Sequence, residues 1–269
     1  MRNHGFLVGG MAMILSIATL YAQKKTESWI DEPYTKWDQK EAAELFNNSA
    51  WAQAKSFRGQ PASVSRTGAA RRGEHGTVTD MGMGSSNSSK SLGTGGKATL
   101  GTDVQEFSFT ARLFSAQPIR DAYVRMLQIM NHYDGLPLDR QHAFDQQLDR
   151  FLHADFGQQV VITLSYQTND PVAQQNLNKW FDSQTADTLK QNAYLFSPTA
   201  GQLELVKYFP EQGGFGAEFV FPRLFKGEPI LHPGAGKLRF QLTQAPMIHQ
   251  IMYIDFDSSN MTYKDQFAY

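Results

Sequence analysis

The sequence contains no cysteine. That excludes disulfides, thiolate metal ligands, every cysteine-based mechanism and lipid attachment through an N-terminal cysteine. Net charge is equally scarce. Against 26 acidic residues stand 25 basic ones, a formal charge of -1, so no global field draws the chain to nucleic acid or to an anionic bilayer. Beyond residue 22 there is no apolar run long enough to span a membrane. Neither a Gly-x-Ser-x-Gly elbow nor a His-Glu-x-x-His pair occurs. The run Gly93-Thr94-Gly95-Gly96-Lys97-Ala98-Thr99 approaches a phosphate-binding loop, but it has Ser91 where that loop requires Gly and Ala98 where it requires Ser or Thr.

What is present suffices for a core. With 41% hydrophobic and 12% aromatic residues, the 269-residue chain can offset the entropy of folding with one good-sized domain. Arg2 and His4 precede an uncharged stretch over 5–22, followed by Lys24 and Lys25. This is the layout of a secretory signal, with the small Ala22 before the expected cut and a bulkier Leu20 two residues earlier. The expected location is periplasmic or secreted; the alternative is anchoring by an uncleaved N-terminal segment.

Composition divides the rest. Over 23–58, Asp38 and Glu41 form a capping pair for a short helix with Ala42, Leu45 and Phe46 as its apolar stripe, flanked by Trp37 and Trp51. Residues 51–57 read as a short strand. Residues 59–101 are rich in Gly and Ser, with ten glycines and six cations (counting Arg58 at the edge) against two acids. Such a stretch cannot bury enough surface to order itself and reads as a flexible insertion. Residues 102–269 form the expected core domain.

Within that core, Phe107, Phe109, Ala111 and Leu113 alternate with polar residues, as in a half-buried strand. Ile119, Ala122, Tyr123, Met126, Leu127 and Met130 recur at helical spacing behind Pro118. A second amphipathic helix is predicted over 138–153, a central strand over 159–166, and short helices over 171–181 and 185–191. Strands are predicted over 203–208, 215–221, 237–242, 251–256 and 261–263. Helices crowd the N-terminal half of this order and strands the C-terminal half, which implies an α+β fold with a mixed or antiparallel sheet.

Two polar groupings are candidates for chemistry. Arg112, Arg120 and Arg125 surround a strand-to-helix turn and suggest an anion-binding cluster. Their simpler use is structural, with Arg112 on the solvent face of its strand and Arg125 paired to Asp121 one helical turn away. On the second helix, His142, Asp145, Asp149 and His153 fall within about 80° of arc. Two imidazoles and two carboxylates can ligate a divalent metal. The stripe lies opposite Phe144, Leu148 and Phe151, so it is expected to face water, and only His132, His232 and His249 remain to complete a shell. Among the C-terminal aromatics, Phe215, Phe219, Phe221, Phe225, Tyr253 and Phe256 can form a sugar or peptide platform but suit a sheet core better; Phe225, Tyr263 and Tyr269 are expected at the surface.

Three segments carry a resemblance: Trp37-Asp38-Gln39-Lys40-Glu41-Ala42, Ser49-Ala50-Trp51-Ala52, and the strand from Phe109 that ends in Ser115-Ala116-Gln117-Pro118-Ile119-Arg120. In them the chain resembles a group of uncharacterised exported bacterial proteins with a Trp-x-x-Lys-Glu-Ala helix, a Ser-x-Trp-Ala element, a Gly-rich insertion and a Ser-Ala-x-Pro-x-Arg junction. The likeness runs over most of the chain after residue 22. It implies export and architecture, and no activity or site residue. The function expected from the sequence is therefore a non-enzymatic envelope module that needs no cofactor and binds an envelope protein or polymer. The alternative is a metal-dependent or other hydrolase of the periplasm using the His142, Asp145, Asp149 and His153 stripe.

Overall fold

The computed structural model describes residues 28–59, 104–211, 214–245, 247–248 and 250–269. The predicted signal segment, the predicted Gly/Ser-rich insertion after Gly59, and His249 lie outside them.

The first helix, α1 (Gln39–Asn47), opens on the expected capping box: Glu41 N donates to Asp38 Oδ1 at 2.8 Å and Asp38 N to Glu41 Oε2 at 2.8 Å. There follow β1 (Ala52–Arg58), β2 (Glu106–Leu113), α2 (Gln117–Met130), α3 (Leu138–Leu152) and β3 (Gln159–Thr168). Next come α4 (Pro171–Ser183), capped by Asp170, and the single turn α5 (Ala186–Leu189). The remainder is strands: β4 (Ala193–Ser197), β5 (Gly201–Glu204), β6 (Lys207–Phe209), β7 (Ala217–Pro222), β8 (Leu224–Phe225), β9 (Glu228–Pro229), β10 (Lys237–Leu242), β11 (Met252–Asp257), β12 (Thr262–Tyr263) and β13 (Gln266–Phe267).

The fold is α+β, with antiparallel pairing throughout. One sheet has five strands in the order β1-β2-β3-β7-β6, the other four in the order β11-β10-β4-β5. The two lie face to face, with Phe219 and Phe240 centroids 5.0 Å apart and Phe221 and Phe240 adding an edge-to-face pair at 6.3 Å. The other face of the larger sheet meets α1, α2 and α3, where Tyr123, Phe114 and Phe151 gather around Phe215, while α4 packs on the sandwich side with Phe181 stacked on Tyr166 at 4.2 Å. Alternation explains the split: Phe109, Ala111 and Leu113 face the second sheet, while Thr110 and Arg112 face α1.

The structure corrects several expectations. The strand predicted over 203–208 is two strands in different sheets, because the chain leaves β5 at Leu205 and Val206 N bonds Val220 O at 2.8 Å to start β6. Tyr263 is 4% and Tyr269 9% exposed, not surface residues. Tyr263 lies edge-on to both Trp37 and Trp51, and its hydroxyl donates to Asp121 Oδ2 at 2.6 Å. Burial, then the adjoining Asp121 charge, pushes that phenol far up, so it stays a donor. The two tryptophans do fasten α1 to the body, and Trp51 Nε1 donates to Ala268 O at 2.6 Å. Among the described residues no helix is long and apolar enough to cross a membrane.

Candidate functional site

The three arginines are brought to one region but not to one point. Arg112 is 5% exposed, not on a solvent face. Its Nε donates to Phe46 O at 2.8 Å, Nη1 to Ser165 Oγ at 2.8 Å and Nη2 to Asn47 Oδ1 at 2.7 Å, with the guanidinium over the Phe46 ring. Asp121 does not pair with Arg125, because Tyr263 and Gln117 already donate to it. Arg125 instead reaches Trp37 O at 2.7 Å and forms an ion pair with Asp134 at 3.1 Å. Arg120 donates to Ser115 O at 2.6 Å and Leu152 O at 3.2 Å. Each guanidinium ties a loop or helix end to the body, so the three do not converge on one ligand.

The His142, Asp145, Asp149 and His153 stripe faces solvent along its whole length. Tyr133 donates to Asp145 Oδ2 at 2.7 Å, and His153 Nδ1 lies 3.0 Å from Asp149 Oδ1. Among the described residues no group of three or more His, Cys, Asp or Glu side chains stands close enough to hold a metal.

Behind the helices, Arg112, Thr163 and Glu218 share one cross-strand row over β2, β3 and β7. Thr163 Oγ1 is buried without a hydrogen-bond partner, and burial raises the Glu218 carboxyl above the usual carboxylate range. A raised folded-state value means that Glu218 favours the fold at low pH and that this contribution is lost as pH rises through the folded value. Glu218→Gln is therefore expected to stabilise the protein at pH 7, by about 0.5 kcal/mol after discounting for its partial exposure, and to be neutral near pH 4. Urea titrations at the two pH values check it.

A surface grouping that the sequence did not disclose lies on the outer face of the four-stranded sheet. Register places Gln202, Phe196, Arg239 and Asp255 in one row across β5, β4, β10 and β11, and Glu204, Tyr194, Gln241 and Tyr253 in the next. Their neighbours in sequence, Leu195, Leu203, Phe240 and Ile254, point into the sandwich. Tyr194 and Phe196 rings stand 6.3 Å apart. Tyr253, 44% exposed, carries Lys55 Nζ at 3.7 Å and the Arg239 guanidinium at 4.7 Å from its centroid. Arg239 grips Asp255 with Nε at 2.6 Å and Nη2 at 3.0 Å from the two carboxylate oxygens. That bidentate bond, with the Arg239 charge, holds Asp255 below its ordinary value, so the pair persists at neutral pH and opens only in acid. Beside it a depression of about 230 Å³ is lined by Phe196, Ser197, Pro198, Lys237, Arg239 and Gln241.

No known protein family, curated protein or solved structure matches the chain. The site therefore stands on its own geometry. Sequence reading missed β4 because Ala193-Tyr194-Leu195-Phe196-Ser197 alternates apolar with aromatic, which hides the outward face. The one available signal was Lys237-Leu238-Arg239-Phe240-Gln241-Leu242, whose polar positions mark the exposed side of β10.

Proposed function

We propose that the protein is an exported, non-enzymatic binding module of the cell envelope, periplasmic or secreted, that holds an anionic polysaccharide on the outer face of β5, β4, β10 and β11. The observation that carries this reading is the setting of Tyr194 and Phe196 beside Arg239, Lys237 and Gln241 on a sheet face that nothing else in the described chain covers. Sugar rings present apolar C–H faces that pack on aromatic rings, while planar amide and guanidinium groups match neighbouring hydroxyls and carboxylates. Lys55, Lys237 and Arg239 share this surface with Glu204, Asp255 and Asp257, but Arg239 grips Asp255 and Ser259 donates to Asp257, so Lys55 and Lys237 are the cations left to meet an acidic chain. Arg2 and His4 before the uncharged stretch of residues 5–22, and the resemblance to exported proteins, support the location.

The test is retention of the full chain on immobilised polygalacturonate, with dextran as the neutral comparison. Binding to the acidic polymer is expected, weakening as salt rises. The double variant Lys237→Gln, Arg239→Gln is expected to bind at least about tenfold more weakly, with unfolding midpoints little changed, since exposed charges contribute little to stability. Equal retention of wild type and variant, or no retention on the acidic polymer, would end this reading.

A further inference from the structure

β1 lies at one edge of the five-stranded sheet, and half of its main-chain groups face outward. Leu113 N donates to Trp51 O at 2.8 Å and Gly59 N to Gln105 O at 2.7 Å, so the odd-numbered residues turn their main chain to β2. Alternation turns Ala52, Ala54, Ser56 and Arg58 the other way. Ala52 exchanges both of its bonds with Ser49, at 2.9 and 3.3 Å. Among the described residues nothing bonds the outward N–H and C=O of Ala54, Ser56 or Arg58, and all three residues are exposed. Beside the end of this edge is a hollow of about 260 Å³, between Phe57, Arg58 and Phe107 on one side and Met247, Ile248 and Gln250 on the other. We propose that the β1 edge takes an extended segment of a partner protein as a sixth, antiparallel strand, with a bulky apolar side chain in the hollow and an acidic residue immediately before it.

Register decides which side chain goes where. On an incoming strand, a residue opposite Phe57 shares the face of Phe57, which is the sandwich side, and so points at the hollow. The walls there are already apolar, with Phe57, Phe107 and Ile248 buried, and Met247 at the rim has a flexible thioether that can close on the newcomer. Main-chain bonds along the edge supply affinity and the filled hollow supplies selectivity, as in other cases of strand addition. The charge that could deter a strand, Lys55, is folded away: its Nζ lies 3.7 Å from the Tyr253 centroid and donates to Tyr253 O at 3.1 Å.

The residue before the anchor lies opposite Arg58, on the outer face of the sheet. Arg58 has Glu106 as its neighbour on β2, although no ion pair closes between them. An incoming side chain would stand one strand spacing, about 4.8 Å, from Arg58 and about twice that from Glu106, so the cation dominates and an acid is favoured over a base. A second copy of the chain fits worse. Pairing β1 with itself about Ser56 sets Lys55 opposite Phe57, where the hollow suits an apolar group, and pairing about Lys55 sets two lysines against each other.

The experiment pans random octapeptides displayed on phage against the immobilised full chain and measures the enriched peptides by fluorescence anisotropy. An acidic residue followed directly by an aromatic or leucine is the expected consensus. Ser56→Pro is expected to weaken binding at least about tenfold, because it removes one outward donor and sets a ring where the new strand must lie. The same change leaves the bonds of β1 to β2 in place, since proline is tolerated where an edge N–H faces solvent. Arg58→Glu, at an exposed position, is expected to turn the preference before the anchor from acid to base, and it decides the matter if the proline variant does not fold. Light scattering is expected to show a monomer. No enriched pool, the result if the edge is already covered from within the full chain, overturns the proposal. So do binding that both variants leave unchanged and a dimer that Ser56→Pro splits, which would give the edge to a second copy.

Discussion

Replacing Gly216 with alanine is expected to remove roughly 4 kcal/mol or more of stability, or to prevent cooperative folding altogether. Gly216 sits immediately before β7 with φ of +90°, and a Cβ placed there would fall 2.2 Å from Leu164 O and 2.5 Å from Ser165 N. Both contacts are with main chain of the central strand β3. Backbone inside a five-stranded sheet cannot swing aside as a side-chain tip can, so β7 would have to part from β3, taking Phe219 and Phe221 out of the sandwich. Gly214 is the matched comparison: its φ is +86°, but a Cβ there meets nothing within 4 Å. Gly214→Ala is expected to show the backbone strain alone, about 1 to 2 kcal/mol. Guanidinium unfolding followed by tryptophan emission separates the two; equal midpoints for both variants would contradict the close approach of β7 to β3.

Arg112→Ala is expected to lose about 3 kcal/mol. The change strips three hydrogen bonds from Phe46 O, Asn47 Oδ1 and Ser165 Oγ and leaves a void against the Phe46 ring at the seam between α1 and the larger sheet. Arg112→Met should lose less, because it keeps the apolar stem and removes a charge that burial makes expensive. That expense is visible in the proton equilibrium, since desolvation lowers the Arg112 guanidinium to about 10. A base with a depressed folded-state value is a cost while protonated, so the penalty holds at neutral pH and fades as pH rises through about 10. Denaturation of the Ala and Met variants at pH 7 and near pH 10 reads both effects. The Met variant should be more stable than the Ala variant at either pH, and the wild type should gain on Met as the solution becomes alkaline.

Legibility in the sequence tracked how local the deciding interaction is. The capping box of Asp38 and Glu41, the alternation of β2 and the helical spacing of α2 all lie within a few residues, and all were read correctly. Around α2 the same logic then failed for the polar side. Arg120, Asp121, Arg125 and Gln128 look like a solvated face, yet all four are buried. The reason lies far away in sequence: Trp37 O accepts from Arg125, and Tyr263 and Lys264 reach Asp121. The β12 and β13 hairpin that delivers Tyr263 turns through Lys264 and Asp265, both at positive φ, without the glycine that ordinarily announces such a turn.

The candidate surfaces divide in the same way. Exposure of the His142, Asp145, Asp149 and His153 stripe followed from its position opposite Phe144 and Phe151, a relation set within one helix. The aromatic and cationic sheet face did not follow, because it needs β4, β10 and β11 in register and Lys55 carried across from β1. The sequence alone determined the absence of thiol chemistry, the near-zero charge, the α+β order and most strand and helix positions, since composition and periodicity act along the chain. Which polar groups ended up buried and which rings remained outside were decided by tertiary structure. Burial depends on what covers a face, and here the covering elements come from up to 217 residues away.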